Sequence, residues 1–177
     1  MALSAEDGKK LWESPQPFSG HYSPEDIFVI DGTVWTGNIA WGQADGKFEG
    51  RDIHTGELIK EFDCDADIYW FHQRCYPSKA TEKYIIPSRT GVEFVDLKEE
   101  HWDINHFTRG GCYYGVMPSN GLVYTPPNAC ACYMEAKLTG FCALGPESAL
   151  PPQPDRESER LERGPAYDTP MGQASSQ

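Results

Sequence analysis

The chain of 177 residues has no run of 18 apolar residues, and its first residues lack the charged-then-apolar pattern of a secretory leader. No membrane-spanning helix is therefore expected. Before Leu144 there is no sustained apolar stripe at i, i+3, i+4, i+7 spacing, so almost no helix is expected there either. Positive charge is scarce: 15 Lys and Arg face 27 Asp and Glu, for a net charge of −12 and a pI near 4.7. Binding to a nucleic-acid backbone needs a basic face that releases counterions, and this balance argues against it. The acidic surplus serves mainly solubility. The short catalytic signatures are missing as well: no Gly-x-Ser-x-Gly elbow, no phosphate loop, no dinucleotide fingerprint and no Cys-x-x-Cys-His haem site.

What is present is a turn that recurs. Glu6-Asp7-Gly8-Lys9-Lys10-Leu11-Trp12, Asp52-Ile53-His54-Thr55-Gly56-Glu57-Leu58-Ile59 and Lys137-Leu138-Thr139-Gly140-Phe141 each set a small or polar residue and a Gly between strand-like runs. The glycines lie 48 and 84 residues apart, the second interval close to two units of about 42, and a period of this size is the mark of repeat architecture. Glycine accepts the positive φ of a tight hairpin, while its neighbours supply β-prone surface. Further hairpins are predicted at Ile27–Ile30 with Thr33–Thr36 around Asp31-Gly32, and across Tyr84–Asp96. A third is predicted from Tyr113–Met117 and Leu122–Tyr124 around Pro118–Gly121.

About four short strands in each unit of roughly 40 to 50 residues is the size of a propeller blade. The expected fold class is all-β: a partial β-propeller of about three four-stranded antiparallel blades over residues 1–144. Residues 1–18 form the outer part of one unit, and 26–62, 67–107 and 112–144 form three more. Since closed propellers have about 4–8 blades, the chain is expected to be a fragment of a larger protein. From Gly145 onward the sequence carries six prolines and nine charges, and Tyr167 is its sole aromatic residue. Residues 145–177 are expected to be a disordered, Pro-rich linker or tail, because they cannot bury enough apolar surface to offset ordering entropy.

The six cysteines, at 64, 75, 112, 130, 132 and 142, show no Cys-x-x-Cys spacing. Their spacing allows fifteen pairings and leaves buried free thiols equally open. A disulfide from Cys130 or Cys132 to Cys112 or Cys142 is preferred over a metal site, because the Cys130-Ala131-Cys132 pair is too tight for a zinc knuckle.

Ser4-Ala5-Glu6-Asp7-Gly8-Lys9-Lys10-Leu11-Trp12 and Asp52-Ile53-His54-Thr55-Gly56-Glu57 resemble the repeat of pyrroloquinoline-quinone (PQQ)-type β-propellers, Asp-x-x-Thr-Gly-Lys/Glu-x-x-Trp. In that repeat the Gly turn joins the two outer strands and the Trp docks on the neighbouring blade. The first copy has Ser4 for Asp and Asp7 for Thr but keeps Gly8 and Trp12. The second keeps Asp52, Thr55 and Gly56 but has Lys60 where Trp is expected; the unit at Asp96 and Trp102 has a shortened spacing and no Gly. Thr139 and Gly140 complete the set of repeat residues. The resemblance covers residues 1–144 and implies a periplasmic or otherwise extracytoplasmic protein. It also implies a binding or scaffold surface whose partners are the remaining blades or another protein.

The enzymatic relatives of that family are quinoprotein dehydrogenases, which would add PQQ and calcium as cofactors. They would require adjacent cysteines by the cofactor, and this chain has none. No catalytic residue is therefore assigned, and catalysis is not expected of the chain itself. Asp63-Cys64-Asp65-Ala66-Asp67 opens like a calcium loop but continues with Ile68 and Arg74 where an EF-hand needs Gly and Glu, and an acidic inter-blade loop is expected instead. Glu93 and Asp96 lie three apart on one strand and face opposite sides, a poor acid/base pair. Arg109, which opens Arg109-Gly110-Gly111, is the basic residue placed to line a channel and meet an acidic ligand.

Overall fold

A computed structural model describes residues 1–17, 26–40, 44–67, 76–87, 91–128, 138 and 140–147. The chain divides into two units, Met1–Gly145 and Pro146–Gln177, and every strand below belongs to the first. Cys130, Cys132 and Thr139, with nearly all of the Pro-rich segment, lie outside the described residues.

The β-prone runs and tight turns produce four antiparallel sheets in chain order, with no α-helix among the described residues. The first sheet has two strands, β1 (Ala2–Leu3) and β2 (Lys10–Trp12). The second is a four-stranded meander of β3 (Phe28–Ile30), β4 (Thr33–Gly37), β5 (Phe48–Asp52) and β6 (Leu58–Phe62). A second meander of four follows: β7 (Lys79–Ala80), β8 (Tyr84–Ile86), β9 (Val92–Asp96) and β10 (His101–Asn105). The last sheet joins β11 (Met117–Ser119), β12 (Leu122–Thr125) and β13 (Cys142–Leu144).

Turn chemistry sets the register. Asp31 and Gly32, at φ 49° and 71°, make the two-residue turn that places Ile30 opposite Thr33. Asn120 and Gly121, at 52° and 75°, do the same between Ser119 and Leu122. The third predicted hairpin is therefore real but shifted. Its first strand begins at Met117, because Cys112–Tyr114 are taken up by a turn closed by the Gly111–Gly115 bridge.

Strand alternation gives each sheet two faces, and the second, third and fourth sheets pack face to face in sequence. Trp35, Phe48 and Phe62 of the second sheet meet Ile85, Val95 and Trp102 of the third in one core cluster. The opposite face of the third sheet, with Ile86 and Val92, packs on Val116 and Val123 of the fourth. Ile85 and Ile86, neighbours in sequence and each 1% exposed, thus serve two different interfaces. The third sheet is covered on both sides, and the first strands of the third and fourth sheets, β7 and β11, approach one another directly.

Candidate functional site

The recurring turn builds the same local structure three times. In the first sheet the Ser4 hydroxyl accepts from the N–H groups of Glu6 and Asp7 (3.2 and 3.4 Å), and Gly8 N–H donates to the Ser4 carbonyl (2.9 Å). In the second sheet an Asp52 carboxylate oxygen accepts from the N–H groups of His54 and Thr55 (2.9 and 2.8 Å) and from the Thr55 hydroxyl (3.1 Å), while Gly56 N–H reaches the Asp52 carbonyl (2.9 Å). In the third sheet Asp96 takes the N–H groups of Lys98 and Glu99 (2.9 and 3.0 Å), and Glu100 N–H reaches the Asp96 carbonyl (2.9 Å). A short polar side chain that captures two following N–H groups is what stabilises such a turn.

The residue four places after the leading Ser or Asp has positive φ in all three: Gly8 at 71°, Gly56 at 74° and Glu100 at 58°. Glu100 thus holds the glycine position of the third copy. The missing Gly had hidden this register in the sequence.

These turns are where successive sheets dock. Trp12, on the edge strand of the first sheet, donates its indole N–H to the carbonyl of Ile53 in the next turn (2.9 Å), and its ring lies on Gly56 so closely that a Cβ there would sit 2.5 Å from it. Lys60, on the edge strand of the second sheet, donates from Nζ to the carbonyl of Leu97 (2.6 Å) and pairs with Glu100 (3.2 Å). Ile53 and Leu97 are the same turn position, one residue after Asp52 and Asp96. Trp12 and Lys60 are also the same strand position. Each follows a register shift and faces a small residue, Ala2 or Gly50.

Trp102 reaches a neighbouring sheet by a different route from Trp12. The β9–β10 ladder has no register shift, Trp102 faces Val95, and its ring is 2% exposed against Phe48 (5.7 Å between centroids). It is a core residue that packs backward onto the second sheet. Gly140, at φ 99°, is followed by β13, and Lys137 and Thr139 of that copy lie outside the described residues. Cys142 is a free thiol, which removes it from the preferred disulfide set, and Cys112 is half buried.

Other predicted residues take structural positions. Arg109 is 3% exposed, with its carbonyl accepting from Asn128 Nδ2 (3.2 Å), so it does not present a guanidinium to a solvent-filled channel. Glu93 is fully buried and accepts from Gly91 N–H (3.3 Å). Asp65 of the acidic loop clasps the third sheet: one oxygen lies 2.5 Å from His101 Nδ1 and the other accepts from Trp102 N–H (2.9 Å). Asp103 lies 3.5 Å from His101 Nε2. Among the described residues no group of three or more His, Cys, Asp or Glu side chains is arranged to hold a metal.

Electrostatics follows these bonds. The Asp52 carboxyl is held below its ordinary range by the Thr55 and His54 N–H groups. Burial works against ionisation of Asp96, but the Glu99 N–H, the Lys83 ammonium and the Lys98 N–H outweigh it and lower its pKa. Asp65 is lowered likewise, its burial outweighed by His101 and the Trp102 N–H, and His101 is raised by its bond to Asp65.

No protein-family model, curated protein or solved structure matches the chain. The observed geometry is that of surfaces that hold sheets to sheets.

Proposed function

We propose that the chain is a propeller-type scaffold segment, built from PQQ-like repeats, that presents a rigid binding surface and performs no catalysis of its own. The observation that carries this reading is the pair of equivalent junctions, Trp12 to the Ile53 carbonyl and Lys60 to the Leu97 carbonyl. A device repeated at one turn position, with the sheets in chain order and their first strands β7 and β11 adjacent, is how a blade-by-blade architecture grows. The partners of such a segment are further blades of the same kind or a protein bound across several sheets.

The test is a titration of the purified chain with PQQ and calcium, following cofactor absorbance and thermal unfolding. The scaffold reading expects neither a saturable absorbance change nor a shift in midpoint. Saturable binding with dye-linked substrate oxidation would overturn it in favour of a quinoprotein.

A further inference from the structure

We propose that the chain associates head to tail with a second copy of itself, the free face of the fourth sheet of one copy covering the free face of the first sheet of the next. This rests on the scaffold reading of stacked sheets and adds a partner to it.

Two identical turns are unequally covered. Ser4–Gly8 and Asp52–Gly56 have the same hydrogen bonds and the same glycine conformation. At Gly56 the cradle is filled by the Trp12 ring, whereas a Cβ built on Gly8 meets nothing within 4 Å. The first sheet thus repeats the receiving surface of the second with nothing seated on it. Leu3 and Leu11 beside it are 51% and 52% exposed.

The other end of the stack carries the complementary surface. The second sheet turns Trp35, Phe48 and Phe62 toward its successor, and the third turns Ile86 and Val92, with Phe94 packed beside them. On the fourth sheet Val123 faces back toward the third, so by alternation Met117, Leu122 and Tyr124 face forward. Phe141 lies 5.9 Å from Tyr124, at the start of the edge strand. Met117 and Phe141 are 57% and 66% exposed, so this forward face shows the apolar character of the two covered ones without a cover among the described residues.

Inside the chain, the forward apolar face of the second sheet meets the third sheet, which bears the Asp96 turn, and the Gly56 turn of the second sheet receives the Trp12 ring of the first. The same mating between copies continues an interface that the protein already builds, and it brings an exposed ring to the open Gly8 cradle. A face that meets a different face is heterologous, so association does not stop at two copies unless a ring closes.

The experiment is sedimentation velocity of the full chain over a wide concentration range, with two double variants, Leu3→Asp/Leu11→Asp and Met117→Asp/Phe141→Asp. Wild type is expected to grow in mass with concentration beyond a dimer or to a closed ring. Each double variant is expected to remain monomeric, and their equimolar mixture to form a 1:1 dimer that grows no further, because each partner keeps one intact face. A wild type monomeric throughout would overturn the proposal. So would a Leu3/Leu11 variant that still associates, which would mean like faces pairing, or a mixture that stays monomeric. All four substitutions are at exposed positions, and thermal unfolding checks that the fold is kept. Failure of the scaffold reading is seen separately: Trp12→Ala and Lys60→Met, which leave both outer faces intact, would then not lower the unfolding midpoint.

Discussion

The junction between the first and second sheets and that between the second and third use one carbonyl position and two different donors. At the first, the indole of Trp12 reaches the Ile53 carbonyl and its ring occupies the space above Gly56. At the second, the ammonium of Lys60 reaches the Leu97 carbonyl, and the glycine position holds Glu100, whose carboxylate pairs with that ammonium. Ring goes with glycine because a Cβ would collide with the ring. Ammonium goes with glutamate because a point charge leaves room for a counter-ion. What this architecture preserves is a hydrogen-bond donor aimed at a fixed carbonyl, and side-chain identity follows from what covers the turn.

The two junctions also differ in how much they bury. The second adds an aromatic core in which Phe48, Phe62 and Trp102 are 2%, 7% and 2% exposed. Trp102→Ala is accordingly expected to be the most damaging single change, about 3–5 kcal/mol of unfolding free energy in a denaturant titration. A cost well below that would mean that the second and third sheets are held by their turns and not by their core.

Trp12→Ala at the half-buried first junction is expected to cost about 1–2 kcal/mol, mostly from ring contact and a carbonyl left without its donor. Gly56→Ala should approach that cost, since it combines a positive φ with a Cβ in the ring's place. Equal midpoints for Gly56→Ala and wild type would show that the ring does not sit on the turn.

Swapping the junction chemistries sharpens the comparison. Lys60→Trp is expected to destabilise alone, Glu100→Gly to change little because relief of its positive φ offsets the lost ion pair, and the double variant to be more stable than their sum by at least about 0.5 kcal/mol, a coupling readable in a double-mutant cycle. Strict additivity would refute the pairing of ring with glycine and ammonium with glutamate.

The smallest effect expected is in the pH profile. His101 has a raised pKa in the fold, so its contribution is fully present below about pH 6.5 and is lost as pH rises through the raised value. Asp52, Asp65 and Asp96 are depressed, so theirs is present above about pH 4 and is lost as pH falls through the lowered values. His101→Gln should abolish the alkaline slope of the unfolding midpoint and leave the acid one. An unchanged alkaline slope would remove the Asp65–His101 clasp from the account.

Much of this was legible in advance. Asp-Gly at 31–32 and Thr-Gly at 55–56 mark their turns because few residues other than glycine accept positive φ cheaply. Alternating apolar residues such as Tyr84–Ile86 and Val92–Asp96 mark strands because pleated backbone sends neighbours to opposite faces. The third copy of the turn was hidden, since Glu100 takes the left-handed conformation without the residue that advertises it. Trp102 stands closer to Asp96 than the repeat requires, and an unshifted ladder carries its side chain into the core against the second sheet.

The sequence by itself determined strand and turn, because these depend on local backbone sterics and on the two-residue alternation of side chains. Only the tertiary structure decided that Ile85 and Ile86 belong to different interfaces, that Arg109 is buried, and that Trp12 and Lys60 serve one purpose. Those outcomes depend on which sheet lies against which, fixed by contacts such as Trp12–Ile53 and Lys60–Leu97 that are 41 and 37 positions apart in the chain, and on shifts of register within the pairings of Ala2 with Trp12 and Gly50 with Lys60.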